Sequence, residues 1–339
     1  WSNLASKKAM VTVVLIGLQR RKLSKKYIYS EESKKLCKTI SPYLCDSDLV
    51  SITKSQIPLG SKAVMKLGNM PYGSGLLLTS NEKGELLDQN SDGNKYLRKF
   101  AGGEEFLKSK ARYCLWISDQ ERQEAEKIPF ILQRINGVRD QRLKSTDSGG
   151  RKLATKPHQF RERNCSKSHS IVVARTSSEN RSWLPVGLAS NEWVFSSETF
   201  ILYDAPSWNI ALISSRIHLI WIATVCGKLE TRYRYSNTLG WNTFPVPPLT
   251  EKNKLDLTRC AEDILLAREK HFPATIADLY DPEKMPENLR QAHEKNDETL
   301  ERIYIGRRFN NDTERLEKLF ELYTKMTSST NGKETLESA

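Results

Sequence analysis

The sequence has 339 residues, 38% of them hydrophobic and 28% charged, with a formal net charge of +12 at pH 7. That length admits two or three domains with real cores, and the composition excludes a chain that stays disordered. The excess of Lys and Arg argues for a polyanionic partner, without separating DNA from RNA or a membrane surface.

Residues 1–18 read as a short helix or turn leading into a buried strand over MVTVVLIGL, 10–18. The opening WSNLASKKA carries no initiator Met and reads as the start of the C-terminal part of something longer. A second strand is expected around 25–30, followed by a loop with Pro42, Pro58 and Gly60. The stretch 61–133 is mixed: a Gly-rich turn, LGNMPYGSG, feeds a short apolar strand, and a further strand is expected over Tyr113–Ile117. Glu121–Lys127 starts a helix that Pro129 interrupts, and helical spacing resumes over Pro129–Arg142. Residues 144–170 read mostly as a polar, basic loop. Between Arg134 and Arg181 there are twelve Lys or Arg against four Asp or Glu, an excess suited to phosphate neutralisation or to a solvated face.

From Ile171 the chain reads as strongly β (IVVART, SWLPVGL, EWVFSSETFILYD), followed by a helical run over Trp208–Cys226. The part of that run from Ile210 is apolar but carries Arg216 and His218, and it is shorter than the roughly 20 residues a membrane span needs. From Glu251 the character is helical, and a polar, frayed tail is expected over Ser328–Ala339. The six cysteines form no C-x-x-C pair and read as reduced thiols of a cytoplasmic protein. The fold class expected is α+β.

The decapeptide 227–236, GKLETRYRYS, follows the apolar run directly. As an extended strand it puts Glu230, Arg232 and Arg234 on one face, and Leu229, Thr231, Tyr233 and Tyr235 on the other. From the decapeptide alone, the favoured reading is an amphipathic strand with a solvated charged face and a half-buried aromatic one.

The motifs of common enzymes are missing. There is no G-x-G-x-x-G, Walker A, H-E-x-x-H or G-x-S-x-G, and no Asn-Pro-Pro-aromatic tetrapeptide. Asp204 and Glu198 have no identifiable partner in the sequence. His218 reads as a core histidine, Trp208 and Trp221 as packing, and Gly73-Ser-Gly75 as a tight turn. Leu316, Leu319, Phe320 and Tyr323 recur at helical spacing and suggest a small terminal bundle.

Several strings in order resemble one family: WSNLASKKAMVTVVLIGL, LGNMPYGSGLLLT, FAGGEEFLKSKARYCLW, PFILQRINGVRDQR, FRERN with SIVVARTSSENRSWLPVGL, ILYDAPSWNIALISSRIHLIWIATVCGKLETRYRYS, WNTFPVPP and the helical segments to ERLEKLFELY. The chain is similar to the C-terminal half of MmeI-type, type IIG-like restriction–modification enzymes and their methylase-only relatives. The resemblance implies the terminal β-hairpin of a class I methyltransferase sheet over 1–55, a mixed α/β target-recognition domain over 56–248, and a helical C-terminal domain over 249–327. The nuclease motif, the SAM-binding loop and the catalytic tetrapeptide of the family do not occur in this chain, so no catalytic residue and no cofactor site is expected within it. SAM would serve the full-length enzyme.

The same resemblance places Glu230, Arg232 and Arg234 at base-reading positions, where paired Arg donors suit guanine and a Glu acceptor suits cytosine. It adds Ser178, Glu179, Arg181, Ser197 and Glu198 as further groove contacts. Arg151, Lys152, Arg161, Arg163 and Lys167 are candidate phosphate contacts on composition. The expected partners are double-stranded DNA and a methyltransferase domain, in cis or as a separate subunit. A stand-alone DNA-binding specificity subunit and a basic RNA-binding or scaffold protein are the alternatives.

Overall fold

The computed structural model describes residues 15–17, 20, 25–29, 34–44, 46 and 51–334, with side chains through Ser328. The chain divides at Val50 into two units. In the first, β1 (Lys26–Tyr29) pairs antiparallel with β2 (Lys34–Cys37), Tyr29 opposite Lys34. Lys34 Nζ lies 4.3 Å from the centre of the Tyr27 ring. Of the strand expected over 10–18, only Leu15, Ile16 and Gly17 are described; they lie outside any strand, with Leu15 76% and Ile16 65% exposed. A run of β-branched residues favours extension but does not supply a partner strand to bury it. The rest of that run lies outside the described residues.

The second unit begins with β3 (Lys66–Leu67) and β4 (Leu77–Leu78). Helix α1 (Ser80–Gln89) starts where Thr79 accepts from the Glu82 amide and the Glu82 carboxylate accepts from the Thr79 amide, a reciprocal cap. Then come β5 (Leu97–Ala101), α2 (Gly103–Leu107), β6 (Arg112–Leu115) and α3 (Arg122–Ala125). Pro129 opens α4 (Pro129–Leu143), where its missing N–H costs nothing. The expected loop after it contains a short helix, α5 (Ser148–Lys152), because the Asp147 carboxylate accepts from the amides of Gly149 and Gly150.

The β-rich part supplies β7 (His169–Ala174), β8 (Thr176–Ser177), β9 (Val186–Ser190), β10 (Trp193–Phe195) and β11 (Thr199–Tyr203). The long helix expected over Trp208–Cys226 is two helices, α6 (Trp208–Ile213) and α7 (Arg216–Val225). Ser215 breaks it: its hydroxyl donates back to Leu212 O and accepts from the His218 amide, ending one helix and capping the next. Strands β12 (Lys228–Leu229) and β13 (Arg232–Arg234) follow. The C-terminal helices are α8 (Glu251–Glu269), α9 (Ile276–Leu279), α10 (Glu287–Ile305) and α11 (Asp312–Glu334). In place of a frayed tail from Ser328, α11 runs on to Glu334; residues 335–339 lie outside the described residues.

Among the described residues of the second unit the strands form three sheets, ordered β10-β5-β6-β4, β3-β11-β7-β9 and β12-β13-β8. The first packs on α1 and α4 through buried Leu76, Leu86, Phe100, Leu115, Ile131 and Ile135. The buried Arg142 guanidinium binds the surrounding loops together. Its five N–H groups donate to Tyr72 O, Leu153 O, Lys156 O, Pro71 O and Gln159 O at 2.7–2.9 Å, which satisfies its whole donor set. The terminal helices dock on the β-rich part: Trp183 packs with Ile264, Leu279 and Leu289, and Trp221 of α7 meets Phe320 and Tyr323 of α11. No helix among the described residues is long and apolar enough to cross a membrane.

Candidate nucleic-acid interface

Helix α7 feeds directly into the 227–236 segment, which is not one continuous strand. Leu229 pairs with Arg232 across a two-residue turn, and Glu230 in that turn has φ 59°. This overturns the expected sharing of one strand face by Glu230, Arg232 and Arg234, because the chain reverses at Glu230. Arg232 and Arg234 alternate with Tyr233 on β13 and are both exposed. Glu230 reaches back from the turn to Arg232, its Oε2 accepting from Nη2 at 2.8 Å. Leu229, expected on the opposite face of the strand, is 43% exposed. Tyr235 does anchor the segment: it is buried, its hydroxyl is 2.9 Å from His218 Nε2, and its ring lies 5.8 Å from that of Phe200. Tyr233 is half-buried.

Strand β13 pairs with β8, setting Tyr233 opposite Ser177 and Arg234 opposite Thr176. This juxtaposes segments more than fifty residues apart in a concavity of about 600 Å³. Ser178, Arg181, Glu198, Arg232 and Arg234, all singled out in the sequence, line it. Glu179 sits beside it; a hydrogen bond from Thr231, with Lys228 and Arg232 nearby, lowers its carboxyl below the usual range. Ser197 joins through its backbone, its carbonyl accepting from Arg175 Nη1 at 3.2 Å.

Arg175 and Lys108 also line the concavity and were not evident in the sequence. Arg175 ties three segments together, its amide donating to Glu198 O and its carbonyl accepting from the Tyr235 amide. The only sequence signal for it is a cation ending an apolar strand. Lys108 has none, since the fold alone brings it near Arg232. Two glycines make room for that approach. A Cβ at Gly102 would overlap the Glu198 carboxylate, and one at Gly103 would meet the Ala174 Cβ at 3.0 Å. Five cationic side chains thus face Glu104 and Glu198, with one of the five, Lys108, paired to Glu104 at 2.6 Å.

With this geometry in hand, comparison with known proteins decides the family. The family model described as "MmeI, target recognition domain" matches residues 46–248, and "MmeI, C-terminal domain" matches 249–330. The chain belongs to the MmeI family. It is 38% identical over 329 residues to DNA methyltransferase A of Bacillus subtilis (strain 168), which covers 96% of this chain and 37% of that protein. Among solved structures it is similar to the type IIL restriction–modification enzyme MmeI in complex with DNA, with a TM-score of 0.83 and 35% identity over 91% of this chain and 42% of that one. The chain therefore spans well under half the length of the relatives it matches.

In this MmeI-family chain the candidate phosphate contacts lie apart from the concavity lining. Arg151 and Lys152 are exposed on α5, where Arg151 donates to Ser145 O and Thr146 O. Arg161 pairs with Glu162 at 2.5 Å. Arg163 donates to Ile117 O and stacks over Trp116, so its guanidinium is held internally. Lys167 is exposed. Its amide, with those of Ser168 and His169, donates to Asp204, whose carboxyl these bonds hold far below the usual range. Asp204, partnerless in the sequence, is thus the anchor of a turn. Among the described residues no group of three His, Cys, Asp or Glu is placed to hold a metal ion.

Proposed function

We propose that this chain reads the base sequence of duplex DNA as the specificity part of a SAM-dependent adenine-N6 methyltransferase of a restriction–modification or phage-defence system acting in the cytoplasm. The observation that carries the reading is the gathering of Arg175, Arg181, Arg232 and Arg234 around one open concavity. Guanidinium forks match the acceptor pair of guanine in the major groove, and an unpaired carboxylate such as Glu198 matches the amino group of cytosine. Each such pair discriminates by about 1–3 kcal/mol. The exposed cations of α5 and of the 161–167 segment suit phosphate contacts, which fix register without reading sequence.

SAM does not fit this concavity. Its sulfonium is a cation, and four guanidinium groups would repel it. We assign the cofactor, the flipped adenine and the methyl transfer to a methyltransferase domain working with this chain, in cis or as a separate subunit. Glu230, Arg232, Arg234, Ser178, Glu179, Arg181, Ser197 and Glu198 remain the proposed base-reading set. The pairing of Glu230 with Arg232 favours their acting as one unit.

Methylation mapping of host DNA with and without the full-length gene tests the reading. A single methylated adenine motif that appears only with the gene is the expected result; no new methylated site contradicts it. Competition between duplex DNA and structured RNA at matched salt separates the RNA-binding alternative, which requires tighter RNA binding.

A further inference from the structure

Two of the proposed reading segments meet at one carboxylate of the C-terminal helical domain. Asp297 of α10 is part-buried where that domain meets the β-rich part. Its Oδ2 accepts from the Trp183 indole Nε1 at 2.7 Å, and its Oδ1 accepts from the Arg216 amide at 2.7 Å. Trp183 lies two residues after Arg181, and Arg216 is the first residue of α7.

Each bond leads to a reading element. On one side, Trp183 stacks on His293, with ring centres 4.9 Å apart, and packs among Leu279, Tyr280 and Leu289. The loop before it, with Ser178 and Arg181, lies against Ala277 and Tyr280 in a second concavity of about 400 Å³. On the other side, the Arg216 amide is among those a helix leaves without an internal partner, and a carboxylate there also meets the favourable end of the helix dipole. Two residues along α7, His218 Nε2 bonds the Tyr235 hydroxyl, next in sequence to Arg234 of the proposed reading strand.

Ser215 already caps α7, and a neutral acceptor would satisfy the indole. A carboxylate with one oxygen for each donor is what holds both segments to the same point. We propose that Asp297 is a positioning residue for base reading, fixing through Trp183 and the start of α7 the two segments that carry Arg181 and Arg232. This rests on the functional reading above.

The groups around Asp297 make its role dependent on pH. Loss of hydration pushes its carboxyl up to about 7, the amide and indole bonds oppose that, Glu301 of α10 adds to it and Arg315 of α11 offsets it. Asp312 is paired with the Arg216 and Arg315 side chains, and burial keeps His293 neutral, at about 3. Protonation turns one acceptor oxygen into a donor, so one of the two bonds weakens below neutrality.

The test is selection of this chain on a randomised duplex pool followed by sequencing, with Arg181→Ala and Arg232→Ala marking the positions each segment reads. Asp297→Asn keeps the shape but offers one acceptor oxygen, so one of the two bonds is lost, and we expect preference to fall about tenfold at either the Arg181 or the Arg232 position, within the range of one lost base contact. Wild type should lose preference at one of these two positions between pH 8 and pH 6, whereas Asp297→Asn should not change with pH. Trp183→Phe should lose preference at the Arg181 position alone, and this variant and the wild-type pH series decide the matter if Asp297→Asn does not fold. A folded Asp297→Asn chain that keeps both preferences, or a Trp183→Phe chain that keeps the Arg181 preference, overturns the role of Asp297. A wild-type chain with no base preference overturns the functional reading instead.

Discussion

The Tyr235 hydroxyl and His218 Nε2 share a 2.9 Å hydrogen bond in the interior, directly behind the strand that presents Arg232 and Arg234 to the concavity. Burial, with Lys62 nearby, pushes His218 down to about 3, so the imidazole is neutral at any working pH. The bond is therefore a fixed tether for the strand that carries Arg232 and Arg234.

Removing that tether should be measurable. Tyr235→Phe leaves the His218 nitrogen without its partner, and an unsatisfied buried polar group costs about 1–3 kcal/mol. Urea unfolding should show a loss of that size, with a broadened base preference in duplex selection. Unchanged stability and preference would mean that ring packing alone holds the strand.

Arg142 offers a sharper stability test. Replacing it by Met leaves Pro71 O, Tyr72 O and Gln159 O without this donor, and Leu153 O and Lys156 O with a backbone amide alone; we expect a loss of about 3 kcal/mol or more, since removing the central partner of a buried network strands several groups at once. Arg142→Lys, with three donors, should recover only part of it in thermal melts.

Lys62 sets a pH dependence. It is 7% exposed and donates to Leu59 O at 2.5 Å and Phe244 O at 2.6 Å, and burial lowers it to about 7. The unfolded chain holds this proton up to about pH 10.4. Between the two values the unfolded state binds more protons, so this residue's contribution to stability rises with pH. Compared with Lys62→Met, wild type should gain in urea melts from pH 7 to pH 10; a flat or falling difference contradicts this.

The α5 cations test the division between positioning and reading. Arg151→Ala with Lys152→Ala should weaken binding alike on every duplex and reduce the salt slope of log K by about 1–2, one for each lost phosphate contact. An unchanged slope would make α5 a solvated surface.

Much of this organisation was legible in the sequence, for identifiable reasons. The restart of the helix at Pro129 and the burial of Tyr235 follow from local residue chemistry. The break at Ser214–Ser215 was hidden because the apolar pattern continues across it, while the Ser215 hydroxyl ends one helix and caps the next. The turn at Glu230 was hidden because alternation of polar and apolar residues is the same for a strand and for a short hairpin with this register. Arg175 and Lys108 could not be found by pattern, since they reach the site through sheet pairing and through the closeness that Gly102 and Gly103 permit. The five-carbonyl seat of Arg142 has no sequence signature, because its acceptors are backbone atoms.

The most direct measurement is the base preference of the Arg232→Ala chain beside wild type in selection from a randomised duplex pool. Base reading by the concavity predicts relaxed preference at one position of the site, with affinity for nonspecific duplex nearly unchanged. Uniform weakening on every sequence, with the wild-type preference intact, would contradict it.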